Sequence, residues 1–506
     1  MSLLRAATYL TLLSLLSKAL GFFREILAAK YFGASAPMDA FVVANTVYNI
    51  TSAMFSDAML AAALPLLVLK KTQDGDDAFR ALTGTIFSAN LIGSVLIVGA
   101  ILLSSKYIIY ALAPGVTATT AETSRMMLRD MGLYGIAVAL VKSMTTFYNS
   151  ERRFVIPSIT SLAVNIVTIS SILFLTGYLG IRSLSIGWSA GFAATAILLI
   201  FLSFKNYKLW GNLKESDLRK IVYSAMPLFV SLLLIQLNMV IDRFFASWLE
   251  AGSMSALNYA QRLIQFPLSI VLATVGTISF TVFSEKVAKA EIARLSELLN
   301  KALSFLSITV IPITVFVLFF SKDIVHVIFE RGAFDRAATN NTSTALFFYI
   351  LGLPAMAFSA PFVTLFRALR KNAILMLATA IGITINIILN ILLVKHYGIA
   401  GLSFATSISF IFGFGFFISI ALRKLPDLNL KTFKLSVLKS ILAAFMAGLA
   451  TYGLAGILKS TLIMHVAVVT VLFFVLYILV GIKLRLHEFL PQRIVDKMQL
   501  KTAKGL

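Results

Sequence analysis

Five charged residues stand within the first two long apolar segments of the sequence, where hydrocarbon side chains otherwise dominate. They are Lys18, Arg24 and Glu25 in the first segment, and Asp39 and Asp57 in the second. An arginine fork binds phosphate through two hydrogen bonds, and a lysine supplies a point charge. The carboxylates would hold these cations when no anion is bound. Because a charge at bilayer depth costs about 3 kcal/mol on insertion scales, it needs a partner or a water-filled cavity.

Helical spacing brings the polar residues of these segments onto shared faces. Lys18 and Glu25 are seven positions apart, which returns them to one face of a helix. In the second segment Asn45, Asn49, Ser52 and Ser56 form a single polar stripe. We therefore predict a polar chamber between helices. The alternative is a set of packing hydrogen bonds and a structural ion pair, which are common in membrane bundles.

A second stripe, in the eighth apolar segment, repeats this pattern. It contains Asn258, Gln261, Arg262, Gln265 and Ser269. Two such segments at equivalent positions would suit a water-filled vestibule, with Arg262 as a second phosphate-binding fork. A polar zipper that never opens is the alternative.

A further group of oxygen-bearing residues is predicted to bind an ion. Asp242 lies in the seventh segment, Asn386 and Asn390 are four apart in the eleventh, and Thr406 lies in the twelfth. Carboxylate, amide and hydroxyl oxygens suit a hard cation such as Na⁺. Hydrogen bonding between helices is the alternative.

The composition is that of an integral membrane protein. Of the 506 residues 59% are hydrophobic and 13% are charged, and the mean hydropathy is +0.91; soluble domains have about 25% charged residues. A spanning helix needs about 20 apolar residues. We predict about fourteen spans, at 6–31, 39–69, 81–104, 124–149, 155–177, 183–204, 221–247, 254–284, 298–320, 340–366, 373–394, 400–422, 435–457 and 462–482.

The net charge of +22 reflects membrane topology and not nucleic-acid binding. With the N-terminus inside, the predicted inner loops hold most of the lysines and arginines, and the outer loops hold few. This bias places both termini in the cytoplasm. The chain has no cysteine, and its four histidines are scattered. No nucleotide-binding, metal-ligand or catalytic pattern occurs, so we predict a transporter and not an enzyme. Such a transporter needs no cofactor and would draw on Na⁺, H⁺ or the membrane potential.

Matching motifs indicate that the chain contains two copies of one unit. At a spacing of 217–218 residues, Tyr148–Arg153 corresponds to Phe366–Lys371, and Gly180–Ser185 to Gly398–Ser403. Parallel repeats of this kind form two lobes with a substrate path between them. We predict an N-lobe of six spans at 1–204, a cytoplasmic linker at 205–220, and a C-lobe of six spans at 221–422. A last helix pair with a basic cytoplasmic tail would occupy 423–506.

Several of these motifs resemble those of the bacterial MurJ/MviN lipid II flippases, within the multidrug/oligosaccharidyl-lipid/polysaccharide exporter superfamily. They are Leu20-Gly-Phe-Phe-Arg-Glu25, Tyr31-Phe-Gly-Ala34, Met38-Asp-Ala-Phe41, Leu112-Ala-Pro-Gly115 and the run Ala256 to Pro267. The resemblance extends from about residue 3 to residue 480.

The resemblance implies fourteen helices in two six-helix lobes plus a C-terminal pair, around a central cationic cavity in the bacterial cytoplasmic membrane. The substrate would be lipid II, the undecaprenyl-diphosphate-linked disaccharide-pentapeptide of cell-wall synthesis. Alternating access would move it from the inner to the outer leaflet, with the cell-wall synthesis machinery as a candidate partner. Arg24, Asp39, Asn49 and Arg262 fall on positions of the family cavity, and Lys18 replaces an arginine.

The sequence departs from the family pattern in two places. Ser52 and Ala53 stand where the family has one or two arginines, although Asp57 keeps a carboxylate. Lys142, in the fourth apolar segment, is a candidate to supply the missing charge. Asn390 replaces an aspartate in the ion set, where some family members bind sodium. A flippase for another polyprenyl-linked glycan, such as O-antigen or exopolysaccharide, is therefore an alternative, as is a cation-coupled drug antiporter.

Overall fold

The computed structural model describes residues 3–203, 206–214, 216–288, 292–424, 428–455 and 462–489. Throughout these ranges the regular elements are helical, which confirms the predicted all-α class. Nine helices of the described chain are long and apolar enough to cross a membrane, or ten if the bent pair at 336–350 and 353–368 is one span. The protein is thus a multi-pass membrane protein. The count of about fourteen spans stays a prediction.

One long helix accounts for part of the difference between these counts. Asn372–Lys424 has 53 residues, about 80 Å at 1.5 Å per residue, whereas the hydrocarbon core is about 30 Å thick. Two predicted spans, 373–394 and 400–422, lie within it. Gly398 interrupts it with φ 52° and ψ −127°, a conformation that glycine adopts without steric cost.

The described chain forms two compact units. Unit 1 contains residues 1–255 and 331–335, and unit 2 contains residues 256–330 and 336–506. Unit 1 contains α1 (Leu3–Phe32), α2 (Ala36–Tyr48), a π-helical turn (Asn49–Ala53), α3 (Met54–Gln73), α4 (Gly75–Leu103), α5 (Ser105–Leu112), α6 (Ala118–Asp130), α7 (Gly132–Ser150), α8 (Val155–Ser158), α9 (Thr160–Leu179), α10 (Arg182–Ser203) and α11 (Ser216–Ala246).

Unit 2 consists of longer helices. They are α12 (Ser253–Ala288, whose first turn belongs to unit 1), α13 (Ile292–Phe329), α14 (Arg336–Ile350), α15 (Leu353–Ala368), α16 (Asn372–Lys424), α17 (Lys431–Ala455) and α18 (Leu462–Lys483), followed by a 3₁₀ turn (Leu486–Phe489). Polar contacts join α17 and α18 to α13. Ser307 and Ser436 share a hydrogen bond of 2.8 Å, and the Tyr477 hydroxyl donates to the Ile308 carbonyl at 2.9 Å.

The segment between α10 and α11 is fixed along α4. Tyr207 is buried and donates to Glu151 at 2.6 Å. Gly211 donates its N–H to Ser88 Oγ at 3.1 Å, and a Cβ added to Gly211 would lie 2.2 Å from the Thr85 nitrogen. A glycine is therefore required for this close approach. We call residues 206–212 the strap.

Backbone geometry supports the duplication found in the sequence. Arg152 and Arg370 both have positive φ, 62° and 55°, which is uncommon outside glycine. Gly180 and Gly398 share nearly the same conformation, with φ 55° and ψ −135° for Gly180. The two copies thus contain the same unusual turns at the same spacing.

The predicted lobe limits are not settled by these observations. α11 begins at Ser216, inside the predicted linker, and packs on α3 within unit 1. The lobes at 1–204 and 221–422 remain a prediction. Lys205 and most of the basic tail, residues 490–506, lie outside the described residues.

Candidate functional site

Arg24 is held inside unit 1 by an amide, a carboxylate and an indole. Its Nη1 donates to Asn165 Oδ1 at 2.8 Å, and its Nη2 pairs with Glu25 Oε1 at 2.7 Å. The guanidinium carbon lies 4.2 Å from the centre of the Trp188 ring, within the range of a cation–π interaction. With 8% of its surface exposed, Arg24 is a preorganised buried cation.

Aromatic contacts lead from Arg24 towards the second membrane segment. The Trp188 ring meets the Tyr134 ring edge-on, with centroids 6.3 Å apart. The Tyr134 hydroxyl donates to Asn49 Oδ1 at 3.3 Å. Asn49 Nδ2 in turn donates to Asn45 Oδ1 at 3.0 Å. Asn45 and Asn49 are half-buried, so part of the predicted stripe remains accessible.

The next turn of the same segment is π-helical and ends at a charged pair. The turn covers Asn49–Ala53; such wide turns occur frequently at functional sites. Lys142 on α7 donates to the Ala53 carbonyl at 2.9 Å and pairs with Asp57 Oδ1 at 2.7 Å. We call Arg24, Trp188, Tyr134, Asn49, Lys142 and Asp57 the polar path of unit 1.

The deeper part of the stripe serves helix packing. Ser56 Oγ donates to Asn90 Oδ1 at 3.1 Å, and Asn90 Nδ2 donates to Ser143 Oγ at 2.8 Å. These side chains are fully buried between α3, α4 and α7. Ser52 is also fully buried, and its hydroxyl has no hydrogen-bond partner among the described residues. This part of the stripe therefore forms packing hydrogen bonds between helices, and the polar chamber stays a prediction.

Asp39, predicted to contact substrate, is saturated in this conformation. Its carboxylate accepts the Gly252 N–H at 2.6 Å, and the Ser255 N–H and hydroxyl at 2.7 Å each. Ser255 lies in the first turn of α12, so Asp39 places a negative charge where the helix N-terminus exposes unpaired N–H groups. At 3% exposure, the carboxylate is closed to a ligand.

Main-chain contacts hold the neighbouring loop of unit 1. The Ala333 N–H donates to the Lys30 carbonyl at 2.8 Å. Gly33 has φ 64°, and a Cβ there would lie 2.3 Å from the Ala333 carbonyl oxygen. Only glycine fits this position.

The remaining predicted substrate residues have different degrees of exposure. Lys18 is half-buried on α1, one residue after Ser17. In unit 2, Gln261 donates to the Tyr349 hydroxyl at 3.2 Å, Arg262 is half-buried, and Gln265 is exposed. The second stripe thus includes accessible positions, and its role in substrate binding stays a prediction.

Three of the four predicted ion ligands come together within unit 2. Asn390 Nδ2 donates to Asn386 Oδ1 at 3.1 Å, and Asn386 Nδ2 is 3.3 Å from Thr406 Oγ1. Asn390 Oδ1 is buried without a hydrogen-bond partner among the described residues, and a cation would satisfy it. The donor atoms fit a hard cation, although the three groups are neutral. Asp242 is buried in unit 1, so the four-residue set stays a prediction.

Sequence reasoning missed three members of the site. Trp188 and Tyr134 are typical of core aromatics at helical spacing, so nothing in the sequence separates them from packing residues. Asn165 is a polar residue within the apolar segment 155–177, a signal that could have identified it.

Helices long and apolar enough to cross a membrane, with charged and amide groups buried among them, are typical of membrane transporters. A family model described as Lipid II flippase MurJ matches residues 28–473. The chain therefore belongs to the MurJ lipid II flippase family.

Individual relatives with the same family name are similar to this chain over most of its length. The chain is 28% identical over 421 residues to a probable lipid II flippase MurJ of Buchnera aphidicola subsp. Schizaphis graminum, a match covering 81% of each chain. It is 26% identical over 445 residues to a probable lipid II flippase MurJ of Thermotoga maritima, covering 87% of this chain and 90% of the relative.

Solved structures show the same fold. A structure described as Lipid II flippase MurJ in an inward closed conformation aligns with a TM-score of 0.81 and 24% identity, covering 94% of this chain and 98% of that chain. An inward-facing multidrug resistance MATE family transporter of the MOP superfamily aligns with a TM-score of 0.68 and 12% identity, covering 81% of this chain and 95% of that chain.

Proposed function

We propose that this protein moves lipid II from the cytoplasmic to the periplasmic leaflet of the bacterial cytoplasmic membrane. The observation that carries the proposal is Arg24, a buried and fully organised arginine in the predicted first span of a MurJ family member. A guanidinium fork in a low-dielectric interior suits the diphosphate of a lipid-linked sugar. The polyprenyl tail would remain in the bilayer while the head group crosses.

The proposed binding residues are Lys18, Arg24, Asn49, Asp57, Gln261, Arg262 and Gln265. Asp39 and Ser52 would take part only after a change of conformation, because both are closed here. We expect alternating access, with both chain termini in the cytoplasm.

The driving force is proposed to be an ion gradient or the membrane potential. Na⁺ would be held by Asn386, Asn390 and Thr406, with Asp242 supplying the negative charge. Proton coupling would instead use a carboxylate such as Asp57. Flipping measured in vesicles with imposed Na⁺, H⁺ or voltage gradients separates these cases.

Complementation tests the proposal directly. A host is depleted of its essential lipid II flippase while this chain is expressed, and growth is recorded. We expect rescue by the wild type and loss of rescue by Arg24→Ala. Lys106→Gln, which removes an exposed lysine on α5, is the matched control and should rescue. Absence of rescue by wild-type protein present in the membrane at normal levels would refute the proposal.

Transport of another polyprenyl-linked glycan is a second candidate, favoured by Ser52. Because a serine stands where the family has an arginine, this turn presents no arginine fork. The Ser52 hydroxyl is buried without a hydrogen-bond partner among the described residues. Binding of lipid II and an O-antigen precursor, measured side by side, distinguishes the two. Tighter binding of the O-antigen precursor would favour the second candidate.

A further inference from the structure

Lys142 lies near the middle of α7, among apolar residues of the predicted fourth span. Its ammonium has three N–H donors. The carbonyl of Ala53 and the carboxylate of Asp57 account for two of them, at 2.9 Å and 2.7 Å. Among the described residues, the third donor has no protein partner.

The exposure of this ion pair indicates that it faces water. The Asp57 side chain is 53% exposed and the Lys142 side chain is 28% exposed. Asp57 lies close to the middle of the 38-residue candidate span Ala36–Gln73. Because a charge open to hydrocarbon at this depth is strongly unfavourable, the exposed side of the pair must meet a hydrated space.

The π-helical turn fixes where the ammonium sits. Asn49 begins the turn and Ala53 ends it, and Lys142 is bound to the Ala53 carbonyl. Asn49 receives the Tyr134 hydroxyl, which connects the turn to Trp188 and Arg24. The polar path therefore presents a second cation in the same unit as Arg24, supplied by a different helix.

We propose that Lys142 is a substrate-binding residue that contacts the diphosphate of the lipid-linked sugar, with Asp57 as its exchangeable counter-ion. The proposal rests on the proposed function and assigns one group of its binding site. When the diphosphate arrives, the ammonium keeps the Ala53 carbonyl and exchanges the carboxylate for a phosphate oxygen. When the substrate leaves, Asp57 takes the ammonium back. Such an exchange involves no covalent change and lets a strongly bound anion be released.

A pair that only stabilises the fold makes different predictions. In that case removal of either partner would lower the melting temperature and affect binding in the same direction. As an exchangeable pair, the two residues have opposite effects on affinity, because Asp57 competes with the phosphate for the same ammonium. The sign of the Asp57 effect therefore separates the two roles.

The test measures binding of lipid II, and of undecaprenol as a tail without phosphate, to purified protein in phosphatidylcholine nanodiscs. Lys142→Gln should weaken lipid II binding about 10- to 100-fold, as expected for one lost charge-assisted hydrogen bond. Asp57→Asn should tighten it about two- to fivefold, the range of an exposed ion pair. Lys142→Arg should bind within about threefold of wild type, since the charge is kept. Undecaprenol binding should not change in any variant.

A second readout does not depend on the variants. Lys142 in the wild type is acetylated with a water-soluble reagent and the modified peptide is quantified. Lipid II should protect Lys142, and undecaprenol should not. Lys106, exposed on α5, serves as the internal control for reagent access, and Lys106→Gln as the matched control for binding.

The outcomes separate this inference from the proposed function. If the wild type does not bind lipid II, the proposed function fails. If the wild type binds lipid II while Lys142→Gln binds equally well and Lys142 is not protected, only the role of Lys142 is overturned. Weaker binding by both Lys142→Gln and Asp57→Asn, with lower melting temperatures in both, would assign the pair to stability and also overturn it.

Discussion

Replacing Asp39 by asparagine should loosen the turn at Gly252 and the first turn of α12 at Ser255. The carboxylate accepts three hydrogen bonds there, at 2.6 Å, 2.7 Å and 2.7 Å. Asparagine keeps one acceptor oxygen, which can still serve Ser255. Its NH₂ group would face the Gly252 N–H, so two donors would oppose each other in a buried place.

The magnitude follows from the bond that is lost. A hydrogen bond to a charged group contributes about 1.5–3 kcal/mol, and a buried donor without a partner adds a cost of similar size. Taking the lower figure alone, local opening should become at least about tenfold more frequent.

Amide hydrogen exchange measures this opening. In Asp39→Asn, the peptide containing Gly252 and Ser255 should exchange about 10- to 100-fold faster, while peptides of α9 and α10 keep their wild-type rates. Glu250→Gln is the matched control, because Glu250 is exposed beside the same turn and undergoes the same carboxylate-to-amide change. Equal exchange in Asp39→Asn and wild type would refute the assignment of Asp39 to these turns.

Three further changes test other parts of the structure by thermal unfolding. Gly33→Ala should lower the free energy of unfolding by about 1–3 kcal/mol, because a Cβ there meets a carbonyl oxygen at 2.3 Å. Its control is Gly75→Ala, at a glycine with φ 81° in open space, which should cost about 1 kcal/mol. Equal losses in the two variants would contradict the steric argument. Burial, with the hydrogen bond to Glu151, raises the pKa of Tyr207 above its ordinary value near 10. Its stabilising contribution should therefore be complete below about pH 10 and be lost at higher pH, when the unfolded chain ionises first. Tyr207→Phe should flatten the fall in melting temperature above about pH 10, and an unchanged pH profile would count against this. Asn300→Ala removes hydrogen bonds to the Ser296 and Asn429 carbonyls and from the Phe433 N–H. The free energy of unfolding should fall by about 1–3 kcal/mol. An unchanged melting temperature would show that these bonds do not stabilise the protein.

The sequence predicted the class of fold and the neighbourhood of the polar path, because both depend on local patterns. Apolar segments of spanning length identify membrane helices, and charges such as Arg24 and Asp57 inside them require partners. Helical spacing predicted a polar stripe that includes Asn45 and Asn49, and both are half-buried in the structure. These inferences need no knowledge of which helices are neighbours.

The partners of these residues depend on tertiary packing, and sequence alone did not supply them. Trp188 lies near the Arg24 guanidinium because α9 packs against both α1 and α10. Asp39 resembles a substrate ligand in the sequence, but its partners are main-chain N–H groups more than two hundred residues away. Ser52 belongs to the same predicted stripe as Asn49. However, both lie in the π-helical turn Asn49–Ala53, whose wider turn rotates Ser52 away from the face predicted for a regular α-helix. A period of 3.6 residues cannot anticipate such a turn.

The strap has a mechanical consequence. Within it, Gly211 lies against the α4 backbone and Tyr207 is anchored among buried aromatic rings. A tag or protease site inserted at these residues would disturb the core of unit 1. Because Gly211 touches the α4 backbone, a displacement of the strap would be transmitted directly to α4.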